Sequence, residues 1–412
     1  MCGSFTRQIY KESISYNNMK EAIHPGKRKI EIRSRISNDL KTRLLNTKFK
    51  KEYQGKELNI FVGRFGYPQV NVGFLGNEQV DEIFDSPKQW VKQKFGISTI
   101  SALRSSLINS RFKTNIKDFK NKLLEQAQEV ALSSIAVDME INLEKQPKRI
   151  LSLHKHSIPT GPASTIKNVK ISSNPSIDEK VDYITSDTDL KAGEGILTLY
   201  KKGFDELFLT KILSTGNLGL KYNRKIVPTR WSITATDDTI GKQLITEISK
   251  YPACDIFSTF GGHLGNFYIT LFFPGEFSYE LFEIEPDSGG VWTDHETSFG
   301  RKTYASNCVG GYYANRLAIL EKLKKLKRSA SVLSIRFITD QYYQPLGVWV
   351  VREASRKALT EREINFYDKK LMIKYAIGLA KKYFNYDLTE ILSQSKLLKS
   401  ITYQKRLNEF FN

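Results

Sequence analysis

The first strand signal along the chain is Leu58–Val62, and Val137–Leu143 alternates apolar with polar positions at the period of two that half-buried strands show. Runs rich in aromatic and β-branched residues predict further strands at Ile256–Phe260, Phe267–Phe273, Tyr279–Glu285, Ala330–Phe337 and Leu346–Val351. Helical periodicity covers Asn115–Leu132, Asp189–Lys202, Phe204–Leu213 and Thr234–Lys250, with Gly203 and Gly216 as stops for the middle two. The strongest helix is Tyr304–Lys327, whose apolar stripe includes Leu317, Leu320, Leu323 and Leu326. The pattern predicts an α/β or α+β fold with mixed sheets and flanking helices.

Segments of different character divide the chain. Residues 1–57 form a polar, basic extension with clusters at Lys27-Arg28-Lys29 and Lys48-Phe49-Lys50-Lys51 and a short helix near Leu40–Asn46. An N-terminal lobe is expected over 58–150. The segment 145–165 carries Pro147, Pro159, Gly161 and Pro162 and reads as a loop between two lobes. A C-terminal lobe over 151–360, a basic helical tail over 361–403 and a flexible peptide over 404–412 complete the organisation.

Charge changes the picture. The 412 residues carry a formal net charge of +19, which favours a polyanionic partner, a nucleic acid or an anionic membrane. No stretch approaches the ~20 uncharged apolar residues that span a bilayer, and Met1–Lys20 lacks the apolar centre of a signal peptide. A cytoplasmic protein with no membrane partner is expected. Three scattered cysteines and five histidines outside any HExxH spacing make a disulfide framework and structural zinc unexpected.

The last residues hold the clearest motif. Gln404-Lys405-Arg406-Leu407-Asn408-Glu409-Phe410-Phe411 fits Q-x-x-L-x-x-F-F, the pattern of peptides that dock on sliding clamps of the proliferating cell nuclear antigen (PCNA) type. In one tight helical turn, Leu407, Phe410 and Phe411 project to one side as an apolar plug, and Gln404 fixes register through its amide. The competing reading makes these residues the core face of a final helix.

Beyond the tail, the chain resembles the archaeal Nre family of DNA repair proteins. The resemblance rests on Phe61-Val62-Gly63-Arg64-Phe65-Gly66-Tyr67-Pro68-Gln69-Val70-Asn71-Val72-Gly73 and on Val227-Pro228-Thr229-Arg230-Trp231-Ser232-Ile233-Thr234-Ala235. Further blocks are Gly300-Arg301-Lys302-Thr303-Tyr304-Ala305, Gly310-Gly311-Tyr312-Tyr313-Ala314 and Pro345–Glu353. It implies a role in the response to DNA damage, with the clamp as partner. Many members begin with a CGxxxCP element of metal-binding appearance, of which this chain keeps only Cys2-Gly3.

Several positions carry candidate chemistry. Arg64, between Gly63 and Gly66, suits a bidentate phosphate contact, the alternative being a tight turn whose arginine pairs with a carboxylate. Arg230 reads as a site residue and the adjacent Trp231 as a core anchor. Arg301 and the basic stretch with Lys324, Lys325 and Arg328 are candidate contacts to a DNA backbone. Glu283, Glu285, Asp287, Asp294 and Glu296 crowd a segment whose 286–299 part reads as a loop. Such carboxylates can hold Mg²⁺ or Mn²⁺ for phosphodiester chemistry, with His295 as general base. That reading makes the protein a metal-dependent nuclease or another DNA-processing enzyme. The competing one is a solvated face balanced by Lys322–Arg328, and a nucleotide-binding enzyme built on the glycine and arginine blocks also stays open. Cys308 reads as a buried small hydrophobe.

The tail generates a test. Deleting Gln404–Asn412 is expected to abolish binding to the clamp in a calorimetric titration while leaving the Tm nearly unchanged.

Overall fold

The structure, a computed structural model, describes residues 49–78, 82–148 and 159–403. The helix expected near Leu40–Asn46, the cluster Lys27-Arg28-Lys29 and the motif residues Gln404, Leu407, Phe410 and Phe411 lie outside the described residues. Two compact units emerge. Among the described residues, one runs to Gln243 and takes in Gln344–Trp349; the other holds Leu244–Tyr343 and the chain from Val350 onward.

The first unit is built on a closed five-stranded barrel. Its strands are β1 (Glu52–Val62), β2 (Gln69–Asn77), β3 (Ile108–Asn115), β4 (Val137–Leu143) and β5 (Ala163–Ile171), in the order β1-β2-β3-β5-β4. Every neighbouring pair is antiparallel except β3 and β5, which run parallel. This order and orientation is the topology of the oligonucleotide/oligosaccharide-binding barrel. Alternation turns Val70, Val72 and Phe74 of β2 and Val137, Met139, Ile141 and Leu143 of β4 into the interior. The interior also holds polar groups. The Tyr53 hydroxyl lies 2.9 Å from Ser110 Oγ and donates to Glu57 Oε1 at 3.0 Å.

Between β2 and β3 lie α1 (Pro87–Lys92) and α2 (Ile97–Ser105), and between β3 and β4 lies α3 (Lys122–Leu132). The helix expected over Asn115–Leu132 starts later because β3 extends to Asn115. Asn121 then caps α3, its side chain accepting the Leu123 N–H at 2.9 Å. The segment read as a connection between lobes returns the chain to the same barrel as β5. After β5 come α4 (Glu179–Ser186), α5 (Ala192–Lys201), α6 (Glu206–Ser214) and α7 (Thr229–Ile248), whose residues from Leu244 belong to the second unit. The inserted Gln344–Trp349 is held within this unit, since Ser101 donates to Gln344 at 2.8 Å and Trp349 packs edge-on against Trp90.

The second unit centres on a six-stranded mixed sheet. It contains β6 (Phe257–His263), β7 (Asn266–Pro274), β8 (Ser278–Glu285), β9 (Gly290–Glu296), β10 (Ala330–Ile338) and β11 (Ile364–Asn365), ordered β11-β6-β7-β10-β8-β9. The fold is thus α+β with mixed sheets. The strand expected over Leu346–Val351 is instead the start of α9 (Val348–Thr360), preceded by α8 (Val309–Leu326). Four β-branched or aromatic residues, Val348 to Val351, suggest a strand, but Arg352–Leu359 continues with good helix formers and decides the outcome. The 286–299 segment contains β9 rather than a continuous loop, and the expected helix Tyr304–Lys327 begins only at Val309.

The two sheet faces differ in chemistry. One packs Ile269, Leu271, Phe282, Ile284, Leu333 and Ile335 against α10 (Lys369–Phe384), α11 (Thr389–Gln394) and α12 (Lys396–Tyr403). On that side the buried Glu280 carboxylate accepts the Ser395 hydroxyl and the N–H groups of Lys396 and Leu397 at 3.1 and 3.0 Å. The opposite face meets α8 and α9 through polar contacts, including Tyr279 to Asn315 at 2.6 Å and Asn315 to Ser355 at 2.7 Å.

Glu280 therefore pins the start of α12 to the sheet. Glu280→Ala leaves three donors unmet and is expected to cost about 1–3 kcal/mol in urea unfolding, with faster amide hydrogen exchange over 395–403.

Candidate nucleic-acid interface

The β1–β2 connection is Gly63-Arg64-Phe65-Gly66-Tyr67-Pro68. Gly63 N–H bonds to Asn71 O at 2.8 Å and Gln69 N–H to Gly66 O at 2.8 Å, with a cis Tyr67–Pro68 peptide inside the turn. Gly66 has φ +82°, and a Cβ there would lie 2.8 Å from Gln69 O, so the turn needs glycine. A backbone folded this tightly leaves the side chains between the glycines nowhere to bury. They point to solvent.

The second sequence block is fastened to this rim. Val62 N–H donates to Thr229 Oγ1 at 2.9 Å, Thr229 Oγ1 lies 3.1 Å from Ser214 Oγ, and Ser214 donates to Val227 O at 2.8 Å. Pro228 supplies the carbonyl that accepts the N–H groups of Trp231 and Ser232 as α7 begins. Trp231 consequently meets Tyr67, their ring centroids 5.2 Å apart with planes inclined at 56°.

The result is a cluster of bare aromatic rings with cations beside them. Phe65 is 79% exposed, Trp231 44%, Tyr67 42% and Phe61 40%, so Trp231 is not the core anchor its size suggests. Its neighbour Ser232, one residue on, takes the buried position instead. The Arg64 guanidinium lies 5.1 Å from the Phe65 ring centre, and Arg64 and Arg230 are both exposed. The surface continues along β2 and β3, whose outward positions pair Gln69 with Asn115, Asn71 with Lys113 and Gly73 with Arg111. A Cβ on Gly73 would fall 1.9 Å from Asn109 Oδ1, so glycine alone accommodates that side chain. Cations suit phosphates, rings suit bases, and amides suit base edges. Composition alone did not single out Phe65 and Tyr67, although aromatic residues enclosed by Gly63, Gly66 and Pro68 are a legible sign of exposure.

The acidic candidates lie in the other unit and have different occupations. Glu283 accepts from Arg336 Nη1, while Arg336 Nε also donates to Asn266 Oδ1 at 3.1 Å. Gly311 permits this pair to sit under α8, because a Cβ there would lie 2.7 Å from Glu283 Oε1. Asp294 accepts Arg301 Nη2 at 2.8 Å and the N–H groups of Asn307 and Cys308 at 3.0 and 2.8 Å, just ahead of α8. Its negative charge complements the positive end of that helix. Glu296 accepts both bonds from Arg316 Nη1, at 2.9 and 3.2 Å, and both residues are buried.

Strand alternation brings Glu283, Asp294 and Glu296 to one face and puts His295 on the other, opposite Glu280. Burial lowers the His295 pKa, while the nearby Glu280 carboxylate opposes that shift. Glu285 accepts from Ser288 at 2.8 Å in the β8–β9 turn, and Asp287 is exposed there. Among the described residues no group of three or more His, Cys, Asp or Glu side chains is placed to hold a metal ion.

Arg301 also donates to the carbonyls of Thr303, His295 and Tyr304 at 2.8, 3.0 and 3.1 Å, which ties its guanidinium into the loop. Lys324 pairs with Glu247 at 2.9 Å, whereas Lys325 and Arg328 are exposed. Cys308 is buried, and burial raises its thiol pKa well above the ordinary range, as a small core residue requires. No helix among the described residues is long and apolar enough to cross a membrane.

Comparison with known proteins adds lineage. Residues 26–293 match the family described as archaeal Nre, N-terminal, and residues 296–410 the one described as archaeal Nre, C-terminal. DNA repair protein NreB of Archaeoglobus fulgidus is 34% identical over 356 residues, covering 83% of this chain and 87% of its own. DNA repair protein NreA of Haloferax volcanii is 33% identical over 326 residues, covering 74% and 77%. DNA repair protein NreA of A. fulgidus is 36% identical over 315 residues, covering 74% and 79%. No solved structure matches the chain.

The buried ion pairs have a measurable consequence. Arg316→Met takes the countercharge from the buried Glu296 carboxylate and is expected to lower stability by about 3–5 kcal/mol. The double variant with Glu296→Leu should recover most of that loss in the same denaturant titration.

Proposed function

Because the chain belongs to the archaeal Nre family, we propose that it acts in DNA repair, binding DNA through the barrel rim and attaching to a sliding clamp through Gln404, Leu407, Phe410 and Phe411. The observation that carries the DNA-binding part is the meeting of two sequence blocks far apart in the chain. The Val62–Thr229 hydrogen bond and the Tyr67–Trp231 contact bring the turn that carries Arg64, Phe65 and Tyr67 beside the helix start that carries Arg230 and Trp231, and these side chains are exposed. Each element has a use on DNA. The guanidiniums neutralise phosphates, and Arg111 and Lys113 extend the cationic track along the barrel. The barrel topology supports the same reading, since its β2–β3 face and β1–β2 loop are the usual ligand surface of such barrels.

The two attachments complement each other. A body that holds DNA weakly gains from a second contact on a clamp encircling the same DNA, because the second event then occurs at high local concentration. The tail motif supports the clamp contact through its residue pattern and through the names of the relatives only as far as DNA repair.

Salt dependence tests the DNA contact. Binding of a labelled oligonucleotide, followed by fluorescence anisotropy, should weaken linearly on a log–log plot against salt. Arg64→Ala with Arg230→Ala should flatten the slope by about 1.5–2, the loss of two phosphate contacts. An unaltered slope with full affinity in the double variant would remove this surface from the DNA contact.

A further inference from the structure

Resting on the DNA-binding reading, we infer that the barrel rim takes single-stranded DNA, with unpaired bases stacked on Phe65 and on the Tyr67–Trp231 pair and the sugar–phosphate chain running over Arg111 and Lys113. A phosphate-binding surface for duplex DNA needs cations and hydroxyls, not bare rings. Duplex bases hide their faces against one another, so aromatic side chains at the rim would meet only sugars and phosphates. Phe65, Tyr67, Trp231 and Phe61 keep between 40% and 79% of their surface in water. Single exposed rings occur elsewhere on the chain, but here Tyr67 and Trp231 are in contact and Phe65 stands two residues from Tyr67, a grouping that a flat apolar ligand can cover.

Geometry specifies how the rings are used. Tyr67 and Trp231 sit 5.2 Å apart at 56°, too close and too inclined to clamp one base between them. They form one platform that presents an outer face. Phe65 forms the other, with the Arg64 guanidinium 5.1 Å from its ring centre and able to add a cation–π contact to a stacked base. Outward side chains on β2 and β3 recur every ~7 Å along each strand, a spacing comparable to that of phosphates in an extended single strand. Lys113 and Arg111 stand two residues apart on β3 in that repeat, opposite Asn71 and Gly73 of β2. Gln69, Asn71 and Asn115 add amides that tolerate any base edge. The combination favours length and strandedness over sequence.

The experiment compares four labelled 12-mers with the full-length protein by anisotropy: single-stranded DNA, the same sequence as duplex, a single strand with abasic residues throughout, and single-stranded RNA. A 12-mer falls within the ~4–16 nucleotides that one such barrel covers. Expected results are at least tenfold tighter binding of the single strand than of the duplex, and a comparable loss for the abasic strand. Phe65→Ala and Trp231→Ala should each weaken the single strand by roughly 5- to 100-fold, with little effect on duplex. Trp231→Phe should restore most of the affinity, which a merely structural role of the indole would not explain. Arg64→Ala should weaken all four.

Duplex binding equal to or tighter than single-strand binding overturns the inference and leaves the DNA contact standing, as does unchanged affinity for the abasic strand. Tighter binding of RNA overturns the assignment to DNA. Absence of binding to any of the four removes the DNA-binding reading itself. Thermal melting of each variant separates loss of contact from loss of fold, and substitution of the largely exposed Phe65 should leave the Tm in place.

Discussion

The hydrogen bond from the Val62 N–H to the Thr229 hydroxyl joins residues 167 positions apart in sequence at the end of β1. Its net contribution to stability is only about 0.5–1.5 kcal/mol. Its importance is positional. Together with the Ile226 N–H bond to Ile116 O at 2.9 Å, it fastens the start of α7 to the barrel beside the Tyr67–Trp231 contact. Ser214, bonded to both Thr229 and Val227, anchors the arrangement from α6. A rigid barrel thus carries a turn whose side chains are exposed by construction, and a helix start is locked beside it.

The second unit shows another use of charge. Three carboxylates on one sheet face meet three arginines, and Tyr312 lies with its ring 5.3 and 5.7 Å from the guanidiniums of Arg301 and Arg316. Ion pairs removed from water return little net stability, because desolvation offsets attraction. They do penalise any other register, since a slipped strand would leave a buried charge alone. Gly311 belongs to the same arrangement, as the close approach of α8 depends on its missing side chain.

Much of the fold was legible where packing is apolar. β1, β4, β6, β7, β8 and β10 follow from alternation or from β-branched and aromatic runs, and the fold class follows with them. β3 and β9 were not legible, for a common reason. The inward residues of β3 alternate Ile108 and Phe112 with Ser110 and Thr114, and those of β9 are Asp294 and Glu296, so polar groups dilute or replace the hydrophobic signature of the buried face. Cross-chain partners also escape a linear reading. An acidic cluster looks like a metal site until Arg336, Arg301 and Arg316 are seen to occupy it, and these come from β10, a loop and α8. The aromatic rim was half legible. Arg64 and Arg230 stood out by residue type, but only the turn around Gly66 and the start of α7 after Pro228 expose the rings that accompany them.

Glu280 and its hold on Ser395, Lys396 and Leu397 set a mooring length. Tyr403, the last residue of α12, is followed in sequence by Gln404, so the proposed clamp peptide would start from the sheet unit. Even fully stretched, nine residues reach only about 30 Å. On the proposed function, a ring moored on so short a line would stay within that reach of the end of α12.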